Sequence, residues 1–326
     1  MLRSIATVSI SGTLPEKLHA IAAAGYQGVE IFENDLLYYT GTPAEIRQLA
    51  ADLGLKITLF QPFRDFEGAS RAQFAANMAR ARRKFALMRE LGCETLLLCS
   101  NVQPDCSADS ELQVADLRAL ATLAEEEGIA IGYEALAWGT HVNRWQQAWE
   151  RVRRVDSPAL GLVLDSFHIL ARGDTLDALP SVPVEKITFV QLADAPYMKM
   201  DLLEWSRHFR CFPGQGELPL EAFCRADHPL WLPAAPGRWR SLMTVFAPRR
   251  TARRPKMVIV RCCGWRSKPA VGSRRAMPIC FHRRRCRSTR DWSLSNSPPA
   301  PPRRSAWGNI CRRWVFSTRE ATAPDR

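Results

Sequence analysis

Residues 129–168 read IAIGYEALAWGTHVNRWQQAWERVRRVDSPALGLVLDSFH, and this stretch indicates the fold most clearly. Two short apolar runs, at 129–133 and 160–164, flank a segment of helical periodicity at 142–155. A strand, a helix and a second strand form a βαβ unit, whose two strands pair in parallel. Glu134 and Asp165 directly follow the two apolar runs. The stretch therefore predicts a parallel sheet with a carboxylate at the C-terminal end of each strand.

The same alternation of strand and helix continues on both sides of this stretch, over residues 3–210. We predict strands at 4–10, 28–32, 56–60, 94–99, 129–133, 160–164 and 186–190, and helices at 15–24, 43–53, 71–91, 110–127, 142–155 and 176–179. An open doubly wound sheet usually carries a Gly-x-Gly-x-x-Gly phosphate loop after its first strand, and residues 9–13 contain no such motif. The sequence therefore predicts an α/β fold, a (β/α)₈ TIM barrel whose eighth βα unit is missing or degraded.

The chain divides into two parts of opposite charge. Residues 1–225 hold 22 Lys and Arg against 29 Asp and Glu, a net charge of −7, whereas residues 226–326 hold 23 against 4, a net charge of +19. The second part also contains six of the ten tryptophans, a residue type that disordered tails normally lack. We predict a metal-dependent barrel at 1–225 and an irregular basic tail, rich in Arg, Pro, Cys and Trp, at 226–326.

Two interpretations of the tail stay open: a disordered basic extension, and the product of a shifted reading frame in GC-rich coding DNA. The stretch Arg261-Cys-Cys-Gly-Trp-Arg-Ser267 can be encoded so that a displaced frame reads Leu-Leu-Trp-Leu-Glu-Glu, which is ordinary protein sequence. The frameshift interpretation predicts that a single-base correction of the coding DNA restores an eighth strand.

Composition also sets expectations about location and partners. No apolar run approaches the roughly 20 residues of a membrane-spanning helix, and the ten cysteines form no paired Cys-x-x-Cys motifs of a zinc ribbon. We expect a cytoplasmic protein that does not contact membranes. A homo-oligomer stays open.

Three oxygen donors follow successive predicted strands. Glu134 and Asp165 are joined by Gln191, which follows the strand at 186–190. Because the carboxyl ends of parallel strands meet at one mouth of a barrel, these side chains should converge. Oxygen donors without thiolates favour a hard or borderline cation such as Mg²⁺, Mn²⁺ or Co²⁺. Each residue alone has an ordinary alternative as a cap or an ion-pair partner, but the shared position on three strands favours a metal site.

Other polar side chains at the same mouth indicate a substrate site. His168, three residues after Asp165, is placed to act as acid, base or hydrogen-bond donor to a substrate. Arg64 follows the third strand, and Ser206 and Arg210 follow the seventh; an arginine fork suits a substrate carboxylate. The alternatives are a histidine packed in a loop and arginines in solvent. Asp194 either orients a metal ligand or lies at the surface.

With these residues in view, residues 1–225 resemble the xylose isomerase-like superfamily of sugar phosphate isomerases and epimerases. Within it they are most similar to the bacterial 3-dehydroshikimate dehydratases that carry a second, hydroxyphenylpyruvate dioxygenase-like domain. The resemblance lies in Ser4-Ile-Ala-Thr-Val, Gly28-Val-Glu-Ile-Phe-Glu-Asn-Asp-Leu, Thr58-Leu-Phe-Gln-Pro-Phe-Arg-Asp-Phe-Glu-Gly, Tyr133-Glu-Ala-Leu-Ala-Trp-Gly, Leu164-Asp-Ser-Phe-His and Trp205-Ser-Arg-His-Phe-Arg.

The resemblance implies a lyase that dehydrates 3-dehydroshikimate to protocatechuate in quinate and shikimate catabolism. It implies metal ligands at Glu134, Asp165 and Gln191, assigns His168 to proton transfer or hydroxyl binding, and assigns a substrate carboxylate to Arg64, Ser206 and Arg210. The family's fourth ligand, a glutamate in an eighth strand of the form Leu-Glu-Ile-Phe-Asn, has no counterpart after residue 225. An inactive enzyme is therefore also an expectation for this chain.

Three other functions stay open. A sugar or inosose isomerase, epimerase or dehydratase of the same superfamily would share the metal site but not the carboxylate clamp. A nucleic-acid-binding protein would use the 23 basic residues of the tail to neutralise phosphates, which absent or salt-insensitive DNA binding would exclude. An inactive remnant would have an open barrel with two uncovered strand edges.

Overall fold

The structure, a computed structural model, describes residues 2–226 and the backbone of residues 242–245. Eight parallel strands pair in chain order, and the last returns to the first, so the sheet closes into a barrel with helices between its strands. The predicted α/β TIM-barrel fold is confirmed. The strands are β1 (Arg3–Ala6), β2 (Gly28–Phe32), β3 (Lys56–Phe63), β4 (Thr95–Cys99), β5 (Ala130–Glu134), β6 (Leu160–Asp165), β7 (Ile187–Leu192) and β8 (Leu242–Val245).

The described helices lie between these strands, and five of them were predicted from periodicity to within three residues at either end. They are α1 (Leu14–Ala23), α2 (Glu33–Leu37), α3 (Pro43–Asp52), α4 (Arg71–Leu91), α5 (Ser110–Glu126), α6 (Trp145–Val155), α7 (Ser166–Ala171), α8 (Leu202–Phe209) and α9 (Leu220–Ala226). The helix predicted at 176–179 is wrong, because the structure has only a 3₁₀ turn there, at Leu179–Ser181. Among the described residues, no helix is both long and apolar enough to cross a membrane.

The eighth unit was expected to be missing or degraded, and its strand is reduced to four residues. The backbone of β8 pairs with β7, with Thr244 opposite Gln191, and with β1, with Val245 opposite Ile5. The open barrel expected for an inactive remnant is therefore not found. The boundary at 225, the shifted reading frame and the nucleic-acid hypothesis stay predictions, because the rest of residues 226–326 lies outside the described part.

A buried polar network joins the loops after β3 and β4 to β5. The Glu67 carboxylate accepts hydrogen bonds from the Asn101 backbone N–H, at 2.7 Å, and from the Tyr133 hydroxyl, at 2.8 Å. Both bonds end on Oε1, and Oε2 has no hydrogen-bond partner among the described residues. Burial raises the pKa of Glu67 to about 7, even though these hydrogen bonds act to lower it. The network fixes the loops that surround the mouth of the barrel.

Stability is expected to depend on pH through Glu67. The folded state holds the carboxyl proton up to pH about 7, whereas the unfolded chain releases it near its ordinary pKa. Stability is therefore lost as the pH rises through this window, by about 3 kcal/mol. Urea unfolding at about pH 5 and about pH 8 measures the loss, and the Glu67→Gln variant, which has no carboxyl proton, should lose about 3 kcal/mol less than the wild type. Equal losses in the two proteins would rule out this pKa.

Candidate active site

The predicted ligands on β5 and β6 converge with His168 at the C-terminal mouth of the barrel. Glu134 ends β5, Asp165 ends β6, and His168 lies in the first turn of α7. All three are buried, and one carboxylate oxygen of each acid and one ring nitrogen of the histidine lie within 4.8 Å of one another. Gln191 of β7 is the register partner of Asp165. These residues form a cluster that is able to hold a metal ion.

Electrostatics at this cluster favour a cation. Burial and the nearby charge of Asp165 together raise the pKa of Glu134 to about 7, although Arg210 and Arg64 act to lower it. Burial also opposes ionisation of Asp165, but the positive charge and hydrogen bond of Arg210 outweigh it and hold the pKa of Asp165 below its ordinary value. Two carboxylates in one buried site repel each other, so a divalent cation between them would relieve the repulsion.

Arg210 lies inside the acidic cluster. Its Nη1 donates to Asp165 Oδ2 at 2.8 Å, and its Nε donates to the Ser206 hydroxyl at 3.0 Å. The guanidinium also lies over the ring of Phe167, 4.5 Å from the ring centroid. The structure thus places Arg210 and Ser206 together at the mouth, and the substrate contact predicted for Ser206 stays a prediction.

His168 is enclosed by donors and by aromatic rings. The backbone N–H of Ala137 donates to Nδ1 at 3.1 Å, the Trp138 ring packs edge-on at 4.9 Å, and Arg210 Nη2 lies 3.0 Å from Nε2. Burial lowers the pKa of His168 to about 3, so the ring is neutral near neutral pH. A neutral ring has only one acceptor nitrogen. N–H groups of Ala137 and Arg210 face the two ring nitrogens, so a neutral ring can accept a hydrogen bond from only one of them.

Arg64 lies at the rim of the same mouth. It is exposed, in the loop after β3, and its positive charge acts to lower the pKa values of both Cys99 and Glu134. Its position is therefore compatible with the predicted anion contact, which stays a prediction, as do the other site assignments.

Two buried residues of the site were missed from the sequence. Cys99 ends β4, and its thiol donates to Glu134 Oε2 at 3.4 Å. Glu30 lies in the middle of β2 and accepts hydrogen bonds from the side-chain amides of Gln61 and Gln191. For Glu30, the only signal in the sequence was a charged residue inside the apolar run 28–32. For Cys99 there was no comparable signal, because a cysteine at the end of an apolar run does not stand out from it.

Asp194 is buried and holds the loop that follows α8. Its carboxylate accepts from four backbone N–H groups, those of Ala195, Gly214, Gly216 and Leu218, at 2.8 to 3.1 Å. Its backbone pairs with that of Cys211, next to Arg210. The surface position considered for Asp194 is wrong, because the residue is buried. Its carboxylate holds this loop and does not orient a metal ligand, because its acceptor positions are taken by backbone N–H groups.

We expect the Asp194→Ala variant to lose about 3 kcal/mol of unfolding free energy, because it leaves several buried N–H groups without an acceptor. Urea unfolding followed by circular dichroism measures the loss. Asp201→Ala is the matched control: Asp201 is exposed and caps α8 with two backbone hydrogen bonds, so its removal should cost about 1 kcal/mol. Similar losses in both variants would show that the loop does not depend on Asp194.

Comparison with known proteins agrees with this fold. Residues 18–226 match the family model described as a xylose isomerase-like TIM barrel. The 3-dehydroshikimate dehydratases of Pseudomonas putida and Pseudomonas aeruginosa are 62% and 61% identical to the chain over 223 residues. Each alignment covers 68% of this chain but 35% of the relative, so the chain spans only part of the length of these relatives.

A solved structure extends the comparison to three dimensions. A xylose isomerase-like TIM barrel/4-hydroxyphenylpyruvate dioxygenase fusion protein superposes with a TM-score of 0.74 at 56% identity, over 78% of this chain and 40% of that protein. The resemblance inferred from the sequence motifs is thereby confirmed. The chain belongs to the family of xylose isomerase-like TIM barrels.

Proposed function

We propose that the barrel is a metal-dependent 3-dehydroshikimate dehydratase, a lyase that forms protocatechuate and water. The observation that carries the proposal is the contact of Arg210 with both Asp165 and His168, which puts a group suited to a carboxylate beside a group suited to a cation. The identity of 62% to a protein named 3-dehydroshikimate dehydratase supports the choice of substrate.

The described residues fit a divalent cation in their donor chemistry. Glu134 and Asp165 present buried carboxylate oxygens beside His168, and Gln191 adds an amide in register with Asp165. We propose Mg²⁺, Mn²⁺ or Co²⁺, because the set is rich in oxygen. When bound, the cation would supply Lewis-acid polarisation of the substrate ketone. The residue in register with Gln191 on β8 is Thr244, which offers no carboxylate.

The chain's own residues suit the remaining steps. Dehydration removes the proton at C4, next to the ketone, and the hydroxyl at C5, and tautomerisation then gives the aromatic product. Arg210, with Arg64 at the rim, binds the substrate carboxylate and fixes the position of the ring. A neutral His168 is suited to form a hydrogen bond with a substrate hydroxyl. Its low pKa makes it a poor carrier of positive charge, which favours hydroxyl binding over removal of the C4 proton.

The test is an assay of the purified full chain with 3-dehydroshikimate and Mn²⁺, with protocatechuate detected by chromatography and ultraviolet absorbance. We expect product, slowly because Thr244 replaces a ligand, and none after Asp165→Ala or after addition of a chelator. The Asp201→Ala variant serves as the control with an intact site. Absence of product from both the wild type and the Thr244→Glu variant would refute the proposal.

A sugar or inosose isomerase is the alternative hypothesis, and it is tested with the same variants and a neutral keto-sugar as substrate. Turnover of a neutral keto-sugar that is unaffected by Arg210→Ala would support it, because such a substrate has no carboxylate for the arginine. The cytoplasmic location and the homo-oligomer expected from the sequence remain proposals.

A further inference from the structure

Glu30 is a buried carboxylate at the centre of the barrel. It lies in the middle of β2 and is fully buried. Its partner Gln191 belongs to β7, which is separated from β2 by β8 and β1 in the barrel. Side chains from strands so far apart meet only inside the barrel. Glu30 therefore belongs to the interior, on the same side as the acidic cluster.

Two glutamine amides converge on this carboxylate. Gln61 Nε2 donates to Glu30 Oε2 at 2.6 Å, and Gln191 Nε2 donates to the same oxygen at 3.0 Å and to Oε1 at 3.3 Å. The two glutamines are also buried, with 6% and 1% of their surfaces exposed. Hydrogen bonds between buried groups are costly to lose, because no water replaces the missing partner.

The chemistry of these groups fixes which way the Gln191 amide is turned. A carboxylate accepts hydrogen bonds, so an amide oxygen facing it would be repelled and an amide nitrogen is attracted. With Nε2 held by Glu30, the amide oxygen Oε1 is the atom turned away from Glu30. Only this oxygen has the lone pairs to bind a cation. An amide without a fixed partner would be free to present either atom.

We propose that Glu30 is a positioning residue that holds the Gln191 amide with its oxygen available to the metal site. Gln61 would hold Glu30 in place through its hydrogen bond to the same oxygen, Oε2. The inference rests on the proposed metal site, and it explains why a charged residue lies within an apolar strand. It also explains how an amide, a weaker ligand than a carboxylate, is made to bind through a single atom.

The test compares Mn²⁺ affinities in the wild type and in three variants: Glu30→Gln, Gln191→Ala and the double variant. Glu30→Gln keeps the size of the side chain but introduces an N–H group that faces the amides. We expect a loss of about 10- to 100-fold in affinity, the range found when partners of metal ligands are removed. In the Gln191→Ala background the same change should cost nothing further. Equal losses in both backgrounds would overturn the proposal.

A swap of the two groups gives a readout that a merely structural role would not produce. The variant with Glu30→Gln and Gln191→Glu places the amide on β2 and the carboxylate on β7, so the hydrogen bond is kept in reverse. We expect Glu30→Gln to cost less Mn²⁺ affinity in the Gln191→Glu background than in the wild type, because the amide at position 30 then donates to the carboxylate at position 191. If the change costs the same in both backgrounds, orientation of the ligand is not the role of Glu30.

Side-chain amide NMR separates this inference from the metal proposal itself. With ¹⁵N-labelled glutamine, the resonance of Gln191 is identified by its loss in Gln191→Ala. We expect slow proton exchange in the wild type and faster exchange in Glu30→Gln; unchanged exchange would overturn the role of Glu30 while leaving the metal site intact. If neither the wild type nor Thr244→Glu binds Mn²⁺, the metal site is wrong, and the role of Glu30 in it is overturned with it.

Discussion

Thr244→Glu is expected to raise the affinity of the chain for Mn²⁺ by about 100-fold or more. The reason is the register of the barrel. Asp165, Gln191 and Thr244 are aligned on three neighbouring parallel strands, with Asp165 opposite Gln191 and Gln191 opposite Thr244. Residues aligned in this way lie on one face of a sheet. A carboxylate at position 244 would therefore continue the row of ligands and add a negative charge to the site.

Isothermal titration calorimetry or Mn²⁺ electron paramagnetic resonance measures the gain. Met243→Glu is the matched control: it adds the same charge one residue earlier, and the alternation along a strand assigns that residue to the opposite face. Thr244→Gln, which adds an oxygen without a charge, should give a smaller gain than Thr244→Glu. Equal gains from the two glutamates would mean that charge alone attracts the metal, and the register argument would then be wrong.

The positions of the proposed metal ligands were predictable because they depend on strand ends. Glu134, Asp165 and Gln191 each follow or end an apolar run, and a closed parallel barrel brings such ends to one mouth whatever the loops do. The four helices α2, α7, α8 and α9 were not predicted, since elements of five to eight residues carry too little periodicity.

Contacts that depend on loop geometry could not be predicted from the sequence. Nothing in the order of residues indicates that Arg210 reaches Asp165 across 45 positions, or that Asp194 fixes the loop that follows Arg210. Glu30 meets Gln191 across 161 positions, through the interior of the barrel. Such contacts follow from the closure of the whole sheet. Composition and spacing can therefore identify candidate residues but cannot predict which of them contact each other.

The second large effect is expected from Arg210→Ala, which should act in opposite directions on substrate and metal. Loss of the guanidinium removes the group proposed to bind the substrate carboxylate, and kcat/KM for 3-dehydroshikimate should fall by about 150-fold, or about 3 kcal/mol. Mn²⁺ affinity should instead rise, by about tenfold or more, because a positive charge 2.8 Å from Asp165 repels a cation at the same carboxylate. Both quantities are best measured in the wild type and in Thr244→Glu.

Two further arginine variants separate charge from shape in this prediction. Arg210→Lys keeps the positive charge but loses the planar fork, so it should weaken substrate binding without raising Mn²⁺ affinity. Arg207→Ala removes an exposed arginine of the same helix and should leave both quantities unchanged. If Arg210→Ala lowered both the Mn²⁺ affinity and kcat/KM, Arg210 would be a support for the acidic cluster rather than a competitor of the cation. A substrate carboxylate that draws the guanidinium away from Asp165 would then weaken metal binding, whereas the contact of Arg210 with Asp165 predicts that substrate and metal bind cooperatively.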